Sequence, residues 1–334
     1  MEGSRGKAKR ECGEIDLVID FHSHFVPRQL LADDAPARHA HWRLFGEPMY
    51  DLEKRLALMD DAGVDVSVLS SGAGTEGNLD DCHLVNDSIQ ALCERYPGRF
   101  LGMAHVPPLS GAAGMAELQR AAEELGFRCV SISILNDGET VDSPRMWPFY
   151  EKVRELGLVL HLHPAMRCLG SAHMQDYDLE RSIGREFDTI MAVVRLINCG
   201  ALDDFPGLKV CVAHLAGGIA SLLPRIRGFQ DKVKWKTAGH PRHGRVPQRD
   251  FDAYLREMYF DTSGSFGAAG AIQCALVEFS PQQLLFGTDA PIEIRQAGEV
   301  RQAVGDLQQC GLTPESVADI LGGNVRKLLG VASA

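Results

Sequence analysis

The chain has 334 residues, of which 45% are hydrophobic and 24% are charged, a composition typical of a soluble globular protein. Its 45 acidic residues outnumber its 34 basic residues, and the net charge of −11 argues against a nucleic-acid partner, whose phosphates carry the same sign. No apolar run approaches the roughly 18 residues of a membrane span, and the N-terminus lacks the apolar core of a signal peptide. We therefore expect a cytoplasmic protein without a membrane partner, preceded by a disordered segment over residues 1–14.

Eight short runs rich in β-branched residues predict β-strands. In chain order, they are Leu17–Phe21, Val64–Leu69, Phe100–Ala104, Cys129–Ile134, Leu158–Leu162, Leu208–Ala213, Met258–Asp261 and Leu284–Gly287. Amphipathic stretches of helical length separate successive runs, and this βα alternation indicates a parallel sheet. Because eight βα units are the number that closes a barrel, we expect residues 15–334 to form a single (β/α)8 TIM barrel.

Two predicted connections are longer than an ordinary βα loop. They cover residues 25–50, which form an enlarged loop after strand 1, and residues 237–249. Long loops that follow barrel strands usually build or cover the functional site.

Histidines stand at the ends of three predicted strands, and an aspartate follows a fourth. They are His22 and His24 after the first strand, His161 and His163 at the fifth, His214 after the sixth and Asp289 after the eighth. Alternate side chains of an extended segment point the same way, so the two imidazoles of each pair converge on a common face. Three or more imidazoles with one carboxylate at the catalytic face of a barrel predict a site for a divalent metal, with Zn²⁺ as the expected ion.

Spacing alone leaves His161 in competition with His163 as a metal ligand. We favour His163 because it lies nearer the mouth of the barrel, which makes His161 a packed neighbour. The remaining histidines are expected on the surface or in loops; they are His39, His41, His83, His105, His173, His240 and His243. The nine cysteines are scattered without a CxxC pair, so we expect reduced thiols, several of them in the core.

Four motifs resemble the amidohydrolase superfamily: HxH after strand 1, His-Pro after strand 5, His-x-x-Gly-Gly after strand 6 and Thr-Asp-x-Pro after strand 8. More narrowly, the set is similar to the aminocarboxymuconate-semialdehyde decarboxylase family, also called amidohydrolase-related family 2, over about residues 15–329. The resemblance implies that His22, His24, His163 and Asp289 hold one divalent ion, Zn²⁺ or alternatively Mn²⁺. It further implies that His214 is an acid/base that does not bind the metal and that acts with Asp289.

The fourth run ends VSISILND, without the lysine that bridges two metals in other amidohydrolases, so the resemblance implies a mononuclear site. It also implies that Arg225 binds a substrate carboxylate, that Asn136 contacts substrate and that the protein is a homodimer. Trp42 and Phe45 in the first loop are candidates for an aromatic pocket, with core packing as the alternative.

The resemblance favours a metal-dependent nonoxidative decarboxylase, a carbon–carbon lyase that acts on a small aromatic or muconate-type carboxylic acid. The same residues would serve a hydrolase of a lactone, an amide or a carbon–carbon bond, or a hydratase. A noncatalytic metal-binding barrel is a minor alternative, which the lack of cysteine in the ligand set disfavours. No redox cofactor is expected, because the ring or enoate of the substrate would act as its own electron sink, and the chain contains no P-loop motif.

Overall fold

The computed structural model describes residues 17–331, apart from residue 34, residues 170–171 and residues 231–244. The segment predicted to be disordered, residues 1–14, and most of the predicted loop at residues 237–249 lie outside the described residues.

Eight parallel strands form the central sheet, each paired with the next in chain order. They are β1 Ile19–His24, β2 Val66–Ser70, β3 Phe100–Ala104, β4 Cys129–Ser133, β5 Val159–His163, β6 Lys209–Val212, β7 Tyr259–Asp261 and β8 Leu284–Leu285. The backbone nitrogens of Phe21 and His24 donate to the carbonyl oxygens of Phe286 and Ala290, at 2.8 and 2.7 Å, which returns the segment after β8 to β1. The predicted (β/α)8 barrel and its eight strands are confirmed.

Helices connect the strands. They are α1 Leu52–Ala62, α2 Gly72–Thr75, α3 Leu79–Arg95, α4 Gly111–Glu123, α5 Trp147–Glu155, α6 Arg185–Asn198, α7 Ala201–Asp204, α8 Leu223–Gln230, α9 Phe251–Leu255, α10 Ala269–Glu278, α11 Ala297–Gln308, α12 Pro314–Ala318 and α13 Asn324–Leu329. Polar side chains cap several first turns; Asn78 and Asp81 form a capping box on α3, and Thr313 accepts from the backbone nitrogen of Ser316 on α12. One-turn π-helical segments, Glu180–Gly184 and Asp319–Gly323, precede α6 and α13.

The enlarged loop after β1 contains three 3₁₀ helices, Arg28–Leu31, Ala37–Phe45 and Glu47–Met49. Trp42 anchors this loop against the start of α2, where a Cβ at Gly72 would lie 1.9 Å from the indole ring. Only a glycine at position 72 therefore allows the ring to pack so closely. After β4, a short antiparallel pair joins Leu135–Asn136 to Glu139–Thr140.

Apolar side chains fill the barrel interior away from the mouth. Phe21, Val68, Met103, Cys129 and Cys211 belong to one buried cluster, which the side chains of α13 also join. This packing leaves the carboxyl ends of the strands as the place for polar chemistry. Within the described part of the chain, no helix combines the length and the apolar character needed to cross a membrane.

Candidate metal centre and active site

Four side chains from β1, β5 and the segment after β8 converge at the mouth of the barrel. The ligand atoms of His22, His24, His163 and Asp289 all lie within 4.8 Å of one another, and the four residues are buried. Asp289 Oδ1 is 2.8 Å from His24 Nε2 and 3.6 Å from His22 Nε2. The structure thus brings together the ligand set that the sequence predicted.

The hydrogen bonds around this cluster leave nitrogen lone pairs available for a cation. His22 donates from Nδ1 to Asp261 Oδ2 at 3.0 Å, and His163 donates from Nδ1 to the carbonyl oxygen of Pro164 at 2.8 Å. Because both acceptors lack a proton to give, each Nε2 keeps its lone pair. His22 Nε2 and His24 Nε2 lie 3.1 Å apart, and Asp289 Oδ1 is buried without a hydrogen-bond partner. Such converging donors fit a divalent metal.

The protonation states agree with metal binding. Burial lowers the pKa of His22 to about 4 and the pKa of His24 to about 3, and it holds the pKa of His163 well below its usual value. The three imidazoles are therefore neutral near pH 7, which is the form that binds a metal. Burial also raises the pKa of Asp289 to about 6, against the opposing effect of His22 and His214.

Asp261, at the end of β7, organises the residues beneath the metal ligands. Its Oδ2 accepts from His22 Nδ1 at 3.0 Å and from His161 Nε2 at 3.1 Å. Its Oδ1 accepts from the backbone nitrogens of His214 and Ser263 at 3.0 and 3.1 Å. Burial acts to raise the pKa of Asp261, but the charges and hydrogen bonds of His22 and His161 outweigh it and hold the pKa well below its usual value. Asp261 therefore orients both a predicted ligand and His214.

His161 lies one layer below His163, as a packed neighbour. Its Nε2 is used by Asp261, and its Nδ1 lies 3.1 Å from Ser131 Oγ. His22, His161 and Asp261 lie close enough to form a second metal-ligand group, but the facing atoms of these side chains already bond to one another. The arrangement supports the choice of His163 over His161 as the ligand.

His214 begins a turn in which His214–Gly218 all have left-handed backbone angles, with φ between 48° and 73°. A Cβ at Gly217 would lie 2.2 Å from the carbonyl oxygen of Glu186, so the first glycine of the Gly-Gly motif permits close packing of α6. The ring of His214 is nearly parallel to those of His22 and Phe266, with centroids at 5.6 and 6.2 Å.

Glu186, in the first turn of α6, sets the chemistry of His214. Glu186 Oε1 lies 2.9 Å from His214 Nδ1, while His214 Nε2 is 3.9 Å from Asp289 Oδ2 and has no hydrogen-bond partner. Burial alone lowers the pKa of His214, but the charge and hydrogen bond of Glu186, together with Asp289, raise it to about 10. His214 can therefore carry a proton on an Nε2 that faces the cluster. Sequence reasoning missed Glu186, which is 28 residues distant and carries no local motif.

A cavity of about 650 Å³ lies between the loops that follow β2 to β5 and the enlarged first loop. Neither the four clustered side chains nor His214 is among its described lining residues. Its wall includes His41, Glu76, Ala165 and Asn136. Asn136 is held by a 2.7 Å hydrogen bond from Nδ2 to the carbonyl oxygen of Ser133. Asn136 thus occupies the cavity wall, where a bound molecule could contact it.

Three other predicted contacts lie elsewhere. Trp42 is 1% exposed and packs in the core, with the half-buried Phe45 ring at 5.9 Å. Arg225 is exposed on α8, with its guanidinium 5.2 Å from the ring centre of Phe229. Among the described residues that line the cavity, none of the three is found. Their roles toward substrate stay predictions.

Two histidines expected on the surface or in loops are buried instead. His105 Nε2 accepts from the backbone nitrogen of Ser71 at 3.0 Å, and His39 Nε2 lies 3.2 Å from Asp81. Both lie in connections, as a loop position predicts, His39 in the enlarged first loop and His105 directly after β3, but neither is at the surface. His41, His83 and His173 retain exposure, and His240 and His243 lie outside the described residues.

Comparisons with known proteins agree with this fold. The model of the amidohydrolase family matches residues 19–331. The γ-resorcylate decarboxylase of Rhodococcus jostii (strain RHA1) is 27% identical over 303 residues, which cover 84% of this chain and 90% of the relative. The 2-amino-3-carboxymuconate-6-semialdehyde decarboxylase of Dictyostelium discoideum is 25% identical over 345 residues, which cover 94% of this chain and 92% of the relative.

Among solved structures, a 5-carboxyvanillate decarboxylase from Novosphingobium aromaticivorans, complexed with manganese and 4-hydroxy-3-methoxy-5-nitrobenzoic acid, has a TM-score of 0.81. It shares 22% identity, and the match covers 94% of this chain and 96% of that one. The match of the family model to almost the whole barrel is the decisive comparison. This chain belongs to the amidohydrolase family.

Proposed function

We propose that this protein is a metal-dependent nonoxidative decarboxylase, which releases CO₂ from a small aromatic or muconate-type carboxylic acid. The observation that carries the proposal is the cluster of three imidazoles and Asp289, with His214 Nε2 unpartnered at 3.9 Å from Asp289 Oδ2. The barrel alone would suit several reactions. The choice among them rests on the two relatives described above, both of which are decarboxylases.

One divalent ion would be held by His22, His24, His163 and Asp289. Imidazole and carboxylate donors suit Zn²⁺, which the sequence favours, and the similar 5-carboxyvanillate decarboxylase contains manganese. When bound, the ion supplies positive charge that orients the acid and stabilises developing negative charge. Neutral imidazoles and the unpartnered Asp289 Oδ1 support this assignment.

His214 donates the proton that replaces the carboxylate. Glu186 accepts from Nδ1, so the protonated imidazole presents its Nε2–H toward the cluster. Transfer of this proton to the carbon that bears the carboxylate interrupts the conjugation of the substrate. The bond to the carboxylate carbon then breaks, its electron pair restores the conjugation, and CO₂ leaves. Asp289 is the second group of the proton relay, and no oxidant or reductant is consumed.

Arg225 remains the residue we propose for binding a carboxylate, with Asn136, Trp42 and Phe45 as further substrate contacts.

We also propose a homodimer. Phe187 and Met191, one turn apart on α6, are 48% and 44% exposed, and such apolar groups favour a protein partner. Light scattering on purified protein tests this, and a mass of one chain would contradict the dimer.

The reaction is tested on metal-loaded protein with a panel of hydroxybenzoates and muconate-type acids. We expect at least one acid to yield CO₂ and its decarboxylated product in equal amounts, and a His214→Asn variant to yield far less. Parallel assays with lactones, amides and unsaturated acids measure hydrolysis and water addition. Hydrolysis or hydration without CO₂ from any acid would replace the decarboxylase proposal with one of those activities.

A further inference from the structure

A β-bulge in β1 sets the direction of His22. Between Asp20 and Ser23, β1 has one residue more than the paired stretch of β2. Regular alternation would send successive side chains to opposite faces, yet the rings of Phe21 and His22 both lie beside His161, with centroids at 5.6 and 5.0 Å. The bulge therefore turns His22 into the barrel, and bulges of this kind are frequent next to active sites.

Asp20, which lies at the start of the bulge, joins β1 to the segment after β8. The residue is 4% exposed, and its Oδ1 accepts from the backbone nitrogens of His22 and Thr288 at 3.3 and 2.9 Å. Its Oδ2 accepts from the hydroxyl of Thr288 at 2.7 Å. One buried side chain thus binds both the backbone of His22 and the residue that precedes Asp289.

Thr288 holds the backbone on both sides of Asp289. The Thr288 hydroxyl donates to Asp20 and also accepts from the backbone nitrogen of Ala290 at 3.0 Å. Asp289 lies between these two bonded residues with a φ of 54°, in the left-handed region that residues other than glycine rarely adopt. Because such a conformation persists only where the surrounding structure imposes it, the bonds of the Thr288 hydroxyl help to fix the direction of the Asp289 side chain.

We infer that Asp20 and Thr288 are positioning residues of the metal centre, which together fix His22 and Asp289 relative to each other. The two ligands come from distant parts of the chain, and in this arrangement His22 Nε2 lies 3.6 Å from Asp289 Oδ1. The inference rests on the metal site of the proposed function. Groups that orient metal ligands in this way usually contribute to the affinity for the ion.

The affinity of the protein for Zn²⁺, measured by competition with a chromophoric chelator, tests the inference without any turnover. Thr288→Val nearly keeps the shape of the side chain but removes both hydroxyl bonds, so the affinity should fall by about 10- to 100-fold. Thr288→Ser keeps the hydroxyl and should stay within about 3-fold of the wild type. Asp20→Asn keeps an oxygen that can accept from the backbone nitrogens, so we expect a loss of affinity between these two.

Thr189→Val is the matched control. Thr189 is fully buried, and its hydroxyl donates to the carbonyl oxygen of Arg185 within α6 at 2.9 Å. Loss of this buried hydrogen bond should lower the Tm of the metal-free protein, as the loss in Thr288→Val should. The Zn²⁺ affinity of Thr189→Val should nevertheless remain within about 2-fold of the wild type, because the bond lies outside the metal cluster.

A purely structural role of Thr288 would lower the Tm of metal-free Thr288→Val and leave the Zn²⁺ affinity of the folded protein unchanged, which would overturn the inference. An equal loss of affinity in Thr189→Val, or no recovery in Thr288→Ser, would overturn it as well. If Thr288→Val does not fold, a wild-type affinity in Asp20→Asn has the same meaning. If the affinity depends on Thr288 but no acid yields CO₂, the proposed decarboxylase fails and the inference stands.

Discussion

Asp261 and Asp289 both approach the imidazole of His22, but their surroundings differ. Asp261 accepts from His22, His161 and two backbone nitrogens, and its pKa lies well below the usual value. Asp289 has a buried Oδ1 without a hydrogen-bond partner, and burial raises its pKa to about 6. The protein completes the bonding of Asp261 by itself and leaves that of Asp289 to a ligand.

The same contrast divides the neighbouring residues into two layers. The lower layer, formed by Asp261, His161, Ser131 and Ser263, is joined by hydrogen bonds. The upper layer is formed by the predicted metal ligands and His214, with α6 beside it. Four buried atoms without partners belong to the upper layer or to Glu186 beside it, namely His24 Nδ1, Glu186 Oε2, His214 Nε2 and Asp289 Oδ1. Other such atoms, Trp42 Nε1 and Arg326 Nε among them, lie elsewhere, but none belongs to the four residues of the lower layer. Because proteins normally satisfy buried polar atoms, we interpret the upper layer as the reactive one and the lower layer as its support.

We expect the largest effect from a substitution that removes one metal ligand from the upper layer. His163→Ala deletes one imidazole of the cluster, so the protein should lose its divalent ion and turnover should fall by at least about 1000-fold, since a bound metal contributes several kcal/mol to catalysis. Elemental analysis and initial rates measure both effects. His83→Ala, at a half-exposed histidine outside the cluster, is the control. Full metal content in His163→Ala would remove His163 from the ligand set.

The next effect separates the metal from the proton donor within the upper layer. His214→Asn should retain the ion, because His214 is not among the four converging ligands. Turnover should nevertheless fall by about 100- to 10,000-fold, the usual contribution of a general acid or base. Metal content and rates are measured on the same preparation. Retained turnover would exclude His214 from the chemistry.

An intermediate effect comes from the lower layer. Asp261→Asn places an amide where one oxygen accepts from two imidazoles, so at least one of these hydrogen bonds is lost and His22 is less well oriented. We expect metal affinity to fall by about 10- to 100-fold, as for other carboxylates that orient a ligating histidine. Competition with a chelator measures the affinity. An unchanged affinity would show that the lower layer does not position the ligands.

The sequence predicted most of the upper layer because strand geometry carries the information. His22 and His24, and likewise His163, follow from alternation along a strand and from the barrel's single catalytic face. Asp261 was within reach, since it ends the seventh predicted strand, but it has no histidine beside it in the chain. The burial of His39 and His105 in their loops could not be predicted, because the partners of their rings, Asp81 and the backbone nitrogen of Ser71, come from other parts of the chain.

Residues of α6 were beyond local reasoning. Glu186 reaches the site because α6 packs against the left-handed turn that begins at His214. The Gly-Gly of that turn was recognised as part of a motif, but the backbone contact with Glu186 that requires Gly217 appears only in three dimensions. The position of α6 therefore determines that Glu186 faces His214, and residue spacing in the sequence does not predict that position.

We expect the smallest effect on metal binding from a substitution in the lower layer, which tests whether this layer can be changed without altering the upper one. Asp261 accepts from His161 Nε2, so His161 Nδ1 carries a lone pair that the Ser131 hydroxyl satisfies at 3.1 Å. Ser131→Ala removes this donor and should lower the free energy of unfolding by about 1 to 3 kcal/mol, the cost of an unsatisfied buried acceptor. Denaturant unfolding measures it. Metal affinity should stay within about 2-fold of wild type, since Asp261 still orients His22. A loss of affinity as large as that of Asp261→Asn would mean that His161 transmits strain directly to the ligands and that the two layers act as one unit.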